Sequence, residues 1–165
     1  MTFSCTSMHG NLTVRAYGYR ERARASGPVL PTTGRSTWGV RIDHASQGGM
    51  LIGVCDEMEL CGWGMSPYSG KIHHAETCAI PEGYPDGRHA LVVGNGFEFP
   101  AVRPAIGAVI ECIFHHDEGA LWYRINDGPR CFALDGFPPG AALRPWVRLW
   151  CGEGDRVSFV RPFLV

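Results

Sequence analysis

An all-β fold in which two sheets pack as a sandwich is the fold class that the sequence predicts. Apolar and polar residues alternate with a period of two over several segments, whereas helical periodicity is almost absent. These segments recur every ten or so residues outside the longer loops, which is the spacing typical of a sandwich. The 22 glycines and 12 prolines are spread along the whole chain, as many turns between short elements require.

Each predicted strand places its apolar residues on one face. Trp38, Val40 and Ile42 share a face in one strand, and Leu121 and Tyr123 share a face in a later one. The predicted strands cover residues 12–16, 38–42, 51–55, 90–93, 109–114, 121–125, 143–150 and 156–160. No internal repeat or linker divides the chain, so residues 1–165 are expected to form a single domain.

Turns and loops follow from the residues between these strands. Asn126, Asp127 and Gly128 predict a tight hairpin, because these residue types accept positive φ angles. Three longer stretches rich in glycine, proline and serine do not alternate: residues 25–36, 64–86 and 134–141. Loops carry function more often than the framework that holds them, so these three are the candidate functional loops.

Composition and charge exclude several classes of function. The 165 residues are 45% hydrophobic and 19% charged, which is typical of a globular domain with a full core. A net charge of -1 gives no overall attraction to nucleic acid or to an anionic membrane, so neither is an expected partner. Apolar stretches are too short for a membrane span or a signal peptide. Seven irregularly spaced cysteines indicate reduced thiols in an intracellular, cytoplasmic protein.

Six short motifs occur in a definite order. The N-terminal half contains Trp-x-Val at residues 38–40, Ile-Gly-Val at 52–54, and Gly-Trp-Gly at 62–64 with Gly70 and a His-His pair beyond it. The C-terminal half contains the strand 107–112, the segment 119–128 that ends in the Asn-Asp-Gly turn, and Pro-x-Val-x-Leu within 143–149. In this order the motifs resemble the SPRY family (B30.2/SPRY-like) over roughly residues 3–160. A PRY-type Leu-Asp-Pro segment is not evident.

The resemblance implies a bent β-sandwich of two antiparallel sheets, a concanavalin A-like jelly roll of the SPRY type. Loops at one end of such a sandwich bind peptides or folded proteins, and no catalytic residue or cofactor is implied. Carried over by position, the expected partner-binding residues are Pro28, Val29, Leu30, Pro31, Thr33, Met65, Tyr68, Trp150, Cys151 and Glu153. Trp150 ends a strand beside a flexible turn, and a rigid aromatic in such a place is a common interaction anchor.

Two sets of residues could carry other chemistry. The His-His pairs at residues 73–74 and 115–116 suggest a metal site. However, adjacent residues of a strand point to opposite faces, and structural zinc sites use paired ligands two to four residues apart. Glu57 and Glu59 alternate like the two carboxylates of a retaining glycoside hydrolase, yet they follow a strand where a turn is expected. We therefore expect a solvated acidic loop, no metal and no enzyme.

Three functions remain open at this point. The leading hypothesis is a non-catalytic interaction module, monomeric by preference, that binds a protein or peptide ligand through its loops. A carbohydrate-binding, lectin-like sandwich is the first alternative, because the same architecture holds sugars on aromatic faces. A structural protein that packs against copies of itself is the second.

Overall fold

The computed structural model describes residues 5–8, 11–15, 22–45, 50–67, 70–74, 80–85, 106–150 and 155–161. Twelve strands and no helix lie within these ranges. The strands are β1 (Cys5–Met8), β2 (Asn11–Arg15), β3 (Arg22–Ser26), β4 (Arg35–His44), β5 (Leu51–Asp56), β6 (Gly62–Met65), β7 (Ile72–His74), β8 (Val109–His115), β9 (Ala120–Ile125), β10 (Cys131–Leu134), β11 (Leu143–Trp150) and β12 (Arg156–Arg161). The described residues contain no helix that is long and apolar enough to cross a membrane.

The strands form two sheets in which neighbouring strands are antiparallel. One sheet has seven strands in the order β1-β2-β12-β4-β8-β9-β10, and the other has five in the order β3-β11-β5-β6-β7. The chain changes sheets repeatedly, since β3 and β4, β4 and β5, and β10 and β11 belong to different sheets. The predicted all-β sandwich of two antiparallel sheets is confirmed.

The main core lies between the two sheets. Trp38 and Val40 of β4 are completely buried, and so are Val54 of β5 and Trp63 of β6 in the opposite sheet. Because side chains alternate along β4, Arg41 is exposed on the outer face. Strand β5 is instead buried along its whole length, since its outer face belongs to a second apolar cluster formed by Leu51, Cys55 and Trp146.

Most predicted strands have observed counterparts whose bounds differ by a few residues, while residues 90–93 lie outside the described ranges. Strand β7 lies within the predicted loop 64–86, and the end of β6 overlaps that loop. Burial explains why β6 was not predicted as a strand, because its Gly-Trp-Gly-Met sequence is covered on both faces and shows no alternation. The predicted hairpin is confirmed, with φ angles of 48° at Asn126 and 60° at Asp127.

Gly53 should tolerate no side chain. A methyl group at Gly53 would lie 2.0 Å from the Trp63 carbonyl oxygen and 2.8 Å from the Tyr123 hydroxyl, so Gly53→Ala is expected to cost about 3 kcal/mol or more. At Gly107, where φ is +87°, a methyl group would meet no atom within 4 Å, so Gly107→Ala should cost only backbone strain of about 1 kcal/mol. Urea unfolding measures both losses, and equal losses would contradict the close approach.

Candidate functional site

Five described loop segments meet at one end of the sandwich. Strand register places them there, because β4 begins at Arg35 opposite His115 and β5 ends at Asp56 opposite Leu143. The five segments are residues 27–34, 57–60, 80–85, 116–119 and 135–142. We call these segments together the loop end.

Residues 27–34 are fixed to both sheets. The N–H of Leu30 donates to the carbonyl of Leu143 at 2.8 Å, and the side chain of Leu30 is buried in the core. In the other sheet, the carbonyl of Gly34 accepts a hydrogen bond from the N–H of His116 at 2.8 Å. Val29, which is 40% exposed, is therefore presented from a segment that is anchored on both sides.

The turn at residues 57–60 is held by one buried carboxylate. Asp56 Oδ1 accepts hydrogen bonds from the N–H groups of Leu60 at 2.8 Å and Cys61 at 2.7 Å. The N–H of Glu59 donates to the Asp56 carbonyl, and Glu59 has a left-handed φ of 61°. This geometry leaves two apolar side chains outside the core, with Met58 73% exposed and Leu60 61% exposed.

Arg144 connects these two segments. Its Nε donates to the carbonyl of Glu57 at 2.9 Å, and its Nη1 donates to the carbonyl of Gly27 at 3.1 Å. The guanidinium group is planar and rigid, so its two hydrogen bonds fix the spacing between the segments. Both segments that carry exposed apolar residues are consequently held in place at the loop end.

An aromatic cluster anchors two further segments of the loop end. The buried ring of Trp63 stacks on Tyr84 with 5.7 Å between ring centroids, and it meets Phe137 edge to face at 5.1 Å. The Trp63 indole N–H donates to the carbonyl of Pro85 at 3.0 Å. Residues 80–85 and 135–142 are thereby attached to β6.

Tyr84 connects the aromatic cluster with the acidic turn. Its ring is half-buried between Trp63 and solvent. Burial raises the pKa of the Tyr84 hydroxyl, and the negative charges of Asp56 and Glu57 raise it further. The pKa shift shows that Tyr84 lies close enough to the acidic turn for its ionisation to be disfavoured by the carboxylates.

His116 is a buried ionisable group at the loop end. Its Nε2 lies 2.7 Å from the Ser36 hydroxyl, and its ring meets Phe114 edge to face at 4.9 Å. Burial lowers the pKa of His116 below 6.5, although the charge of Asp117 opposes the shift and that of His115 adds to it. The neutral imidazole is therefore the form that fits this part of the core.

The residues predicted from sequence to bind a partner are divided between two ends of the five-stranded sheet. Residues 28–33 lie at the loop end, beside the start of β11. Met65 pairs with Ile52 at the opposite end, and Trp150 is the last residue of β11. The eight residues of β11 span roughly 23 Å at the usual rise per residue. Of the described residues, 28–33 therefore lie at one end of this sheet, and Met65 and the backbone of Trp150 lie at the other.

The exposure of these residues differs as well. Pro28, Val29 and Thr33 are exposed and Pro31 is half-buried. The side chains of Leu30 and Met65 are buried in the core, so the expectation that they face a partner is corrected. Tyr68, Cys151, Glu153 and the side chain of Trp150 lie outside what the structure describes, and their contribution stays a prediction.

Sequence reasoning missed the apolar part of the loop end. Met58 and Leu60 alternate with Glu57 and Glu59, and an alternating run that lies in a turn has no core to enter. This alternation of apolar and acidic residues within a turn is the sequence feature that could have predicted the exposed apolar side chains. The role of Arg144 had no such signal, because its two backbone partners are 87 and 117 residues away in the chain.

The other expectations concern metal, acidic residues and cysteines. Within the described residues, no three His, Cys, Asp or Glu side chains form a group that could hold a metal ion. Residues 57–60 form the exposed acidic turn that the sequence predicted. Cys112 and Cys131 are free thiols, and the Cys61 Sγ lies 3.0 Å from the His74 Nε2.

Two antiparallel sheets with this topology define a β-sandwich of the jelly-roll class, and solved SPRY domains are similar to it. The SPRY domain of human HERC1 aligns over 99% of both chains, with a TM-score of 0.61 and 14% sequence identity. A human SPRY domain aligns over 96% of both chains, with a TM-score of 0.55 and 11% identity. No family model and no curated protein matches the sequence. The chain has the SPRY fold, as the order of its motifs predicted.

Replacing Asp56 tests how the acidic turn is held. Asp56→Ala removes the acceptor of two backbone N–H groups and is expected to cost about 1–3 kcal/mol. Asp56→Asn keeps a side-chain oxygen and should recover much of that loss. Urea unfolding gives the stabilities, and hydrogen exchange at Leu60 and Cys61 reports the turn itself. Equal effects of the two substitutions on amide exchange would contradict this role.

The buried His116 predicts a dependence of stability on pH. Because its folded pKa lies below 6.5, the unfolded chain binds the proton first, and stability is lost as pH falls through about 6.5 toward the lowered value. His116→Gln keeps a polar group but cannot titrate. The melting temperature of the unsubstituted chain should therefore fall more between pH 7.5 and 5.5 than that of the variant. Equal falls would show that another group causes the loss.

Proposed function

We propose that this chain is a non-catalytic protein-interaction module that binds a peptide or protein partner through the loop end. One observation carries the proposal: three large apolar side chains, Val29, Met58 and Leu60, are exposed at the loop end on segments that are held by hydrogen bonds. The similarity to SPRY domains supports the framework, and the proposed site comes from these residues.

Exposure of these three residues is unusual for this molecule. Among the described residues, four large apolar side chains are exposed, and the fourth is Ile106 at the opposite end of the sandwich. A cluster of exposed apolar side chains with a polar rim is typical of interaction surfaces. Glu57 and Glu59 supply such a rim here.

The rigidity of the loop end favours binding. Association costs free energy when flexible loops must become ordered, and segments already held in place avoid much of that cost. Asp56 holds the acidic turn, Arg144 ties it to residues 27–34, and Leu30 fixes that segment to β11. The exposed apolar side chains therefore need little backbone rearrangement to meet a partner.

Trp150, the last residue of β11, remains a second proposed contact at the other end of the five-stranded sheet, and Tyr68, Cys151 and Glu153 remain predicted contacts. It extends the proposal to a partner that reaches both ends. Trp150→Ala with Tyr68→Ala tests it separately, because the end of β11 that carries Trp150 lies roughly 23 Å from Leu143 at the loop end. The proposed setting is intracellular, in keeping with the irregular spacing of the cysteines.

Selection of a random twelve-residue peptide display library on the purified chain tests the proposed function. We expect a consensus motif whose binding is lost in the Met58→Ser, Leu60→Ser variant. Both side chains are exposed, so the melting temperature of the variant should stay within a few degrees of the original.

Ile106→Ser is the matched control, because Ile106 is 62% exposed at the opposite end and its loss should leave binding unchanged. Binding that survives in the double variant would move the site away from the loop end. If no peptide is enriched, glycan-array binding would support the lectin-like alternative, and sedimentation at rising concentration would test self-assembly.

A further inference from the structure

Unpaired negative charge is concentrated at the loop end. Six exposed carboxylates lie on its segments: Glu57, Glu59, Glu82, Asp117, Glu118 and Asp135. The described residues at this end include two arginines, Arg35 at the start of β4 and Arg144. The Arg144 guanidinium donates to two backbone carbonyls. The described part of the chain therefore has a clear excess of negative charge at this end.

These carboxylates have no cationic partner among the described residues. The ion pairs that the described residues form lie elsewhere: Arg41 with Asp43, Arg156 with Asp43, and Arg124 with Glu111 and Asp127. Asp117 makes a hydrogen bond, but to the N–H of Gly34 rather than to a cation. Charge is thus balanced within the framework and left unbalanced at the loop end.

Charge and apolar exposure coincide within one turn. Glu57, Met58, Glu59 and Leu60 follow one another, and all four are exposed. A ligand that covered Met58 and Leu60 would bring its own flanking groups next to the two glutamates. Carboxylates near an apolar contact lose hydration when a ligand covers that contact. A cationic ligand compensates for this loss by pairing with the carboxylates, whereas an anionic ligand is repelled by them.

We infer that the loop end binds a segment of a partner protein in which lysine or arginine residues are interspersed with apolar residues. The apolar side chains of that segment lie on Met58, Leu60 and Val29, and its cationic groups pair with Glu57 and Glu59. This inference rests on the proposed function and specifies the chemistry of the partner. Nucleic acid is disfavoured at this surface by its phosphate charge.

The peptides enriched in the display selection provide the probe. We expect them to carry lysine or arginine among apolar residues, and we expect their affinity to fall as salt is raised. Glu57→Gln with Glu59→Gln should weaken their binding about fivefold to tenfold, the sum of two modest ion pairs at an exposed site.

The matched control makes the same change in net charge elsewhere. His44→Lys with Ile106→Lys also raises the net charge by two, and both residues are exposed at the opposite end of the sandwich. The ten residues of β4 separate the two ends by roughly 30 Å, several screening lengths at physiological salt. Binding to this control should stay within about twofold of the original.

The outcomes separate the two proposals. Enriched peptides that are neutral or acidic, yet require Met58 and Leu60, would overturn the inference and leave the proposed function standing. Basic peptides that bind the Glu57→Gln, Glu59→Gln variant as tightly as the original would also overturn it. If no peptide is enriched while the chain is folded, the inference fails, and the proposed function is restricted to folded protein partners.

Discussion

A hydrogen bond through the core joins the two sheets. The Tyr123 hydroxyl in the seven-stranded sheet donates to the carbonyl of Ile52 in the five-stranded sheet at 2.6 Å. Burial raises the pKa of Tyr123 well above its ordinary value, so the hydroxyl remains a donor. Glycine at position 53 gives the space, because any side chain there would collide with that hydroxyl and with Trp63. The spacing of the sheets depends on this contact.

The same contact positions the loop end. Strand β5 carries Ile52 and ends four residues later at Asp56, whose carboxylate holds the following turn. Strand β6 carries Trp63, whose ring anchors Tyr84 and Phe137. Because these strands are fixed in the core, the loop-end segments that are attached to them have a defined position. The core strands that hold the two sheets together therefore also hold the exposed loop end in place.

Sequence reasoning predicted the framework well and the site only in part. Alternation in the sequence predicted β4, β8, β9 and β11, each of which packs one face against the core. It missed β1 and β3, and it failed for β6, which is buried on both faces, and for β7, which has three residues. Loop positions were predicted from their glycine and proline content, but the ends at which they lie depend on strand register, which a single sequence does not contain.

The expectations for Leu30 and Met65 were wrong for the same physical reason. Leu30 lies in a predicted loop and Met65 lies beside one, and position alone suggested that both face a partner. In the structure the Leu30 side chain enters the core because its backbone pairs with Leu143, and Met65 is the last residue of a strand with both faces covered. A loop residue is exposed only when its backbone partners turn it outward, and those partners are remote in sequence.

Stability and recognition are assigned to different parts of this fold. Across the outer face and the opposite end, carboxylates meet arginines, as Glu111 meets Arg124 at 2.8 Å. At the loop end, the exposed carboxylates instead have no cationic partner among the described residues. The buried core and the Tyr123 contact do not depend on surface charge. The charge pattern that we propose a partner recognises is therefore not required by the contacts that hold the two sheets together.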